Sequence, residues 1–160
     1  MITQNIIMYT DGAARGNPGP GGYGTVLISG KHRKEIAEGF RLTTNNRMEL
    51  LAVIIGLEAL KNKGSNVVIY SDSKYVVDSV EKAWVLNWER KGYKGKKNSD
   101  LWRRFLLVYR EHNVKLNWIK GHANIPENER CDALAVTASK KNNLQADLGY
   151  ENANKNNNLF

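Results

Sequence analysis

The sequence of 160 residues has little with which to staple or anchor itself. It holds one cysteine, Cys131, which excludes an internal disulfide and fits a reducing, cytoplasmic compartment. No apolar run approaches the roughly 18 residues of a membrane span, so none is expected. The opening MITQNIIMYT lacks a charged n-region and a small-residue cleavage site, so no signal peptide is expected. Acidic residues are also scarce: 16 Asp+Glu stand against 24 Lys+Arg, a formal net charge of +8. A chain of this length can bury one full core without a structural metal. Its positive excess points to a polyanionic partner. Nothing demands an obligate protein partner, and a monomer is expected.

Glycine and proline punctuate the start of the chain. NIIMYTD reads as a β-rich run ending in the turn signal Asp11-Gly12. RGNPGPGGYG reads as an irregular loop, followed by strands over residues 23–29 and 32–42. Gly19 to Gly24 fit G-x-G-x-x-G, but Pro20 lies inside and a strand follows, so no dinucleotide site is expected. Residues 44–63 include the apolar run LLAVIIGL and predict a helix buried on most sides, with Gly56 allowing close approach and Gly64 ending it. A buried strand over 66–70 leads to a helix over 74–84. Ser99 caps a helix over 100–112, and 114–119 is a further strand. Pro126 opens a last helix reaching about Ser139. From residue 142 to 160, seven of nineteen residues are Asn, with little hydrophobic pattern, which reads as a largely disordered tail. The order implies one α/β domain over 1–141. Its single mixed five-stranded sheet has three antiparallel strands, then parallel ones, flanked by helices.

Four acids stand out. Asp11 and Asp72 fall at the ends of the first and fourth strands, where α/β sheets build sites. Glu49 lies in the first turn of the long helix, and Asp132 lies inside the last one. Each has a plain reading. Asp11-Gly12 can be a turn, Asp72 a helix cap, and Glu49, three residues after Asn46, the acid of a capping box. Asp132 is harder to dismiss, because Asp is a poor helix-interior residue and no basic side chain stands three or four residues away. Read together, the four form a carboxylate cage for hard divalent cations such as Mg²⁺, which take oxygen ligands and keep waters. Four carboxylates balance two such ions, which can activate a water and stabilise a leaving oxygen in an in-line phosphoryl displacement. Setting these four aside leaves 24 basic residues against 12 acidic ones, an acidic spot on a basic protein.

The segment over 82–97, KAWVLNWERKGYKGKK, carries six Lys/Arg and one Glu, with Trp84, Trp88 and Tyr93 interleaved. Basic groups suit phosphates and aromatic faces suit sugars or bases. Of these, Trp84 is the better contact and Trp88 is partly core.

YTDGAARGNPGPGGYG, TTNNRMEL, YSDSKYV, WIKGHANIPENERCDALA and a terminal LGY follow one another at intervals that resemble bacterial ribonuclease HI, across about residues 5 to 150. The resemblance implies a ribonuclease H-like fold and an enzyme that cuts the RNA strand of RNA–DNA hybrids with Mg²⁺, Mn²⁺ being a possible substitute, leaving 5′-phosphate and 3′-hydroxyl ends. It places the family's metal-binding acids on Asp11, Glu49, Asp72 and Asp132, and its mobile catalytic histidine on His122. It also implies that Asn17, Asn45 and Asn46 lie against the hybrid's minor groove, where an amide can meet the 2′-hydroxyl. Thr44 would contact a phosphate of the DNA strand. The basic handle of the family falls on 82–97, with Lys91, Lys94, Lys96, Lys97 and Trp84 as contacts. Four features depart from the common pattern: the stretch from Gly92 to Asp100 is short, Tyr93 stands for a more usual Trp, the substrate contact Lys74 stands where a Gln is often found, and DGAARGN lacks the Cys frequently present before the glycine.

Two other classes stay open on the residues. A metal-independent ribonuclease needs a paired base and acid, usually two histidines, and would leave a 2′,3′-cyclic phosphate. A non-catalytic hybrid or duplex-binding domain would do better without four carboxylates facing phosphate.

Overall fold

The computed structural model describes residues 4–157. Five strands make one sheet: β1 (Asn5–Ala14), β2 (Gly19–Ser29), β3 (His32–Thr43), β4 (Asn66–Ser71) and β5 (Asn113–Trp118). Their order is β3-β2-β1-β4-β5. The first three pair antiparallel, and β4 joins β1 and β5 in parallel. Among the described residues there are six helices: α1 (Asn45–Glu58), α2 (Lys74–Glu81), α3 (Trp84–Arg90), α4 (Ser99–Tyr109), α5 (Pro126–Ser139) and α6 (Leu148–Asn157). This is the mixed, helix-flanked sheet that the element order predicts.

Alternation on β1 and β2 sorts the packing. Met8 and Thr25 face α1, where Gly56 lets the Met8 thioether approach closely and the Thr25 hydroxyl donates to the Ala52 carbonyl at 2.7 Å. The expected burial of α1 is observed: all residues from Arg47 to Leu57 except Ile55 are buried. Gly22, Gly24 and Gly39 face α5. A Cβ at Gly24 would lie 2.4 Å from the Cys131 carbonyl oxygen, and one at Gly39 would lie 2.2 Å from that of Ala138. The glycine-rich stretch expected to be an irregular loop is therefore mostly strand: β2 begins at Gly19, and its glycines form the floor on which α5 rests.

Several boundaries differ from the sequence expectations. β1 runs through Asp11-Gly12 to Ala14, so that pair is no turn. Helix α1 ends at Glu58, and Gly64 (φ +78°) shapes the later turn into β4. The helix expected over 74–84 breaks at Ala83, which takes a left-handed φ of 59°, and α3 follows. Asn98, not Ser99, sits before α4.

The expected disordered tail over 142–160 is corrected as far as residue 157; its last three residues lie outside the described residues. Residues 148–157 form α6, docked on the domain by charge and backbone rather than by an apolar stripe, which is why hydrophobic patterning misses it. The buried guanidinium of Arg47 donates to Asp147 (2.7 and 2.9 Å) and to Asp100 (2.9 and 2.7 Å). Asp147 also accepts from the Thr43 hydroxyl at 2.7 Å. Arg41 reaches Glu151 at 2.8 Å, and its backbone N–H donates to the Gln145 carbonyl at 2.9 Å.

Removing one partner of a buried ion pair leaves the other uncompensated. Asp147→Ala should therefore lower the unfolding free energy by about 3 kcal/mol in urea titrations. Leu148→Ala, at a side chain 65% exposed, should change it by less than about 0.5 kcal/mol.

Candidate active site

Three elements bring three carboxylates to one end of the sheet. Asp11 comes from β1, Glu49 from α1, and Asp72 from the turn between β4 and α2. One carboxylate oxygen from each lies within 4.8 Å of the others. The approach depends on Gly12: a Cβ there would sit 2.4 Å from the Glu49 backbone nitrogen. Gly121 makes similar room, since a Cβ there would lie 2.8 Å from Asp72 Oδ2. Asp132, on α5, lines the same cleft of about 460 Å³, as do Asn45, Asn46, Lys74, Tyr75 and His122. His122 is exposed, with a left-handed φ of 56°.

The electrostatics are unfavourable by design of the chain. Burial, and then Asp72 and Asp132, push the Asp11 carboxyl up to about 8, against a hydrogen bond with Glu49 that lowers it. Glu49 is raised well above the usual carboxylate range, first by burial and then by Asp11. Its Oε2 is buried with no hydrogen-bond partner. Among the described residues, none of the four acids takes part in an ion pair. Hard oxygen donors that converge, lack internal counter-charge and include an orphaned acceptor fit a divalent cation. Glu49 is not a capping acid: Thr44 caps α1 by accepting from the Arg47 N–H at 3.3 Å.

Most of the other residues singled out in the sequence line one of two clefts. A second one, about 780 Å³, is lined by Asn17, Thr44, Lys96, Lys97 and one face of α6, and shares Asn45 and Asn46 with the first. Asn45 and Asn17 knit the β1–β2 turn to α1: the Ala14 N–H donates to Asn45 Oδ1, and the Asn45 N–H donates to Asn17 Oδ1 at 3.0 Å. Trp84, Lys91 and Lys94 are exposed but line neither cleft. The handle is tied down from below. Trp88 packs edge-on against Trp102 at 5.8 Å, and Glu89 pairs with Arg110 at 2.6 Å. Tyr93 is buried, so it is a core residue rather than a contact. Trp118 was not singled out, yet its indole N–H donates to the Asp72 carbonyl at 3.0 Å. A Trp closing the strand just before the glycine-bearing loop that carries His122 is the sequence signal that could have found it.

A carboxyl whose folded pKa is raised binds its proton more tightly folded than unfolded, so stability falls as pH rises between the two values. For Asp11 that window runs from 3.8 to about 8. In EDTA, Asp11→Asn should therefore be more stable than the parent, by about 1 kcal/mol or more at pH 8 and progressively less toward pH 4. Thermal melts across that range check it. A gain that does not grow with pH would contradict the burial that raises the Asp11 carboxyl.

The chain is similar to known proteins over most of its length. The family model described as RNase H matches residues 3–140. A ribonuclease H of Desulforamulus reducens is 57% identical over 150 residues, covering 91% of this chain and 94% of its own. One from Rippkaea orientalis is 52% identical over 154 residues, covering 93% and 94%. Among solved structures, LC9-RNase H1, a type 1 RNase H with the type 2 active-site motif, superposes with a TM-score of 0.78 at 31% identity, covering 87% of this chain and 74% of that one. LC11-RNase H1, solved in complex with an RNA/DNA hybrid, gives 0.65 at 28%, covering 83% and 95%. With a matching family model over most of its length, relatives above half identity and a shared fold, the chain belongs to the ribonuclease H family and is a hydrolase of the nuclease class.

Proposed function

We propose that this enzyme hydrolyses the RNA strand of RNA–DNA hybrids, with two Mg²⁺ (or Mn²⁺ in their place) at Asp11, Glu49, Asp72 and Asp132, leaving 5′-phosphate and 3′-hydroxyl ends. The observation that carries this reading is the meeting of Asp11, Glu49 and Asp72 within 4.8 Å on a protein of net charge +8. Bound there, the cations would supply Lewis acidity, lowering the pKa of a water and stabilising the leaving oxygen of an in-line displacement.

The protein's own groups do the rest. Glu49 and Asp11 hold their oxygens at fixed, water-poor positions. His122, exposed at the rim, accepts or shuttles a proton or assists product release. Asn17 and Asn45 spend their Oδ1 atoms internally, which leaves their Nδ2 groups to donate to a 2′-hydroxyl, the mark of RNA; Asn46 lies beside them. Thr44, with Lys96 and Lys97, lines the neighbouring cleft, suited to a phosphate of the uncut DNA strand. Trp84, Lys91 and Lys94 extend the basic surface further along a duplex, and Lys74 adds charge at the cleft itself. A cytoplasmic monomer suffices for this reading, and the buried lone thiol of Cys131 is consistent with it.

Labelled hybrid, RNA duplex and DNA duplex, each with Mg²⁺ or EDTA, test the proposal. Only the RNA of the hybrid should be cut, only with the cation, and with 5′-phosphate ends. A 2′,3′-cyclic phosphate or undiminished cutting in EDTA would overturn it. Asp11→Asn should abolish cleavage yet bind hybrid as well or more tightly, since a charge facing phosphate is gone. Each of Lys91, Lys94, Lys96 and Lys97 that contacts a phosphate should, when changed to Ala, flatten the slope of log affinity against log salt by about one unit. An unchanged slope would place the handle off the substrate's path.

A further inference from the structure

We infer that Trp118 is a positioning residue that performs two tasks at once: its N–H fixes the Asp72 main chain at the cation site, and its ring holds the Lys74 ammonium at the mouth of the cleft for a substrate phosphate. The inference rests on the proposed hybrid hydrolysis and names a group that serves the same site.

Trp118 is the last residue of β5, pairs with Ser71 across the ladder and is 44% exposed. A tryptophan this exposed contributes little to the core, yet both of its recognition surfaces are occupied. The N–H meets the Asp72 carbonyl at 3.0 Å, and Lys74 Nζ lies 4.7 Å from the ring centroid. The segment it grips is short, leaves the sheet at Ser71 and is held by a few further hydrogen bonds. The Ile119 N–H donates to the Ser71 carbonyl at 2.9 Å, the Ser73 N–H to Ser71 Oγ at 3.1 Å, and Ser73 Oγ caps α2. With Gly121 clearing space beside Asp72 Oδ2, the strand end, the indole and the glycine together set where that carboxylate stands.

The lysine has an evident wrong place to go. Two residues from Asp72 and lining the same cleft, its ammonium could pair with the carboxylate and consume both charges. It does not: Lys74 forms no ion pair among the described residues and rests on the indole face instead. A cation held by a π-face keeps its charge toward an incoming anion, where an ion-paired one would not. The Lys74–Trp118 pair thus gives the cleft a positive rim without neutralising its acids.

The test separates the two tasks. Trp118→Phe keeps a ring and loses the donor; Trp118→Leu loses both. Calorimetric titration of Mg²⁺ into substrate-free protein should show about tenfold weaker binding in both variants, the scale of loss when the group orienting a metal ligand is removed. Hybrid KM at saturating Mg²⁺ should rise about three- to tenfold in Lys74→Gln and in Trp118→Leu, less in Trp118→Phe, and no further in the Lys74→Gln/Trp118→Leu double variant. Lys74→Arg, whose guanidinium also stacks on an indole, should recover most of the loss seen with Gln, and decides the lysine arm even if Trp118→Leu fails to fold. Parental Mg²⁺ affinity in Trp118→Phe, or KM penalties that add in the double variant, would overturn the inference. Failure of the unaltered protein to cut hybrid would instead overturn the proposed function, while the Mg²⁺ titration would still judge the hold on Asp72.

Discussion

The structure turns on the contact between β1 and α1 at Gly12, where two backbones approach so closely that even a methyl group has no room. That contact buries Asp11 and Glu49 side by side at the end of the sheet. Burial raises both carboxyls there, and they weaken the fold unless something positive joins them. Stability is surrendered locally in a molecule whose other choices agree with one another, and such violations are expected where a protein binds or reacts. Gly24 and Gly39 repeat the device on the opposite face, seating α5 so that Asp132 reaches the same cleft.

A second electrostatic cluster, built on the buried Arg47, shows what the first lacks. The Arg47 guanidinium meets two carboxylates in good geometry, and the Thr43 hydroxyl completes the Asp147 side. Every strong group there has a partner, and its work is to join the starts of α1, α4 and α6. The carboxylates at Asp11, Glu49 and Asp72 have no such partner, and one buried oxygen accepts nothing. A saturated cluster holds a fold together, whereas an unsaturated one of a single sign is arranged for a ligand.

Much of this was legible in the residues. Short β-rich runs with turn signals located the strands, Leu/Ala content and length marked α1 as a helix where periodicity alone could not, and helix-interior Asp132 without a basic neighbour flagged itself as unusual. The four acids could be grouped from their places on strands and helices, although only the fold shows that Gly12 lets Asp11 and Glu49 meet and that Asp132 lines the cleft beside the cluster rather than joining it. Other features were hidden for physical reasons. The glycines of β2 look like a loop because small residues chosen for a helix's approach resemble those chosen for turns. Helix α6 has no apolar stripe because an ion pair and backbone bonds dock it. Tyr93 looks like part of a binding surface until the handle folds back and buries it. Trp118 acts through its edge and face on residues some 45 positions earlier, a relation that the β4–β5 register alone creates.

The most direct measurement is anomalous diffraction from crystals of the Asp11→Asn variant grown with an RNA–DNA hybrid and Mn²⁺. Anomalous peaks bounded by Glu49, Asp72, Asp132 and residue 11, beside an RNA phosphate, are the expected result. Hybrid bound with that pocket free of anomalous signal, or with its RNA strand lying on another face of the molecule, would contradict the claim that these carboxylates converge to grip cations at the scissile linkage.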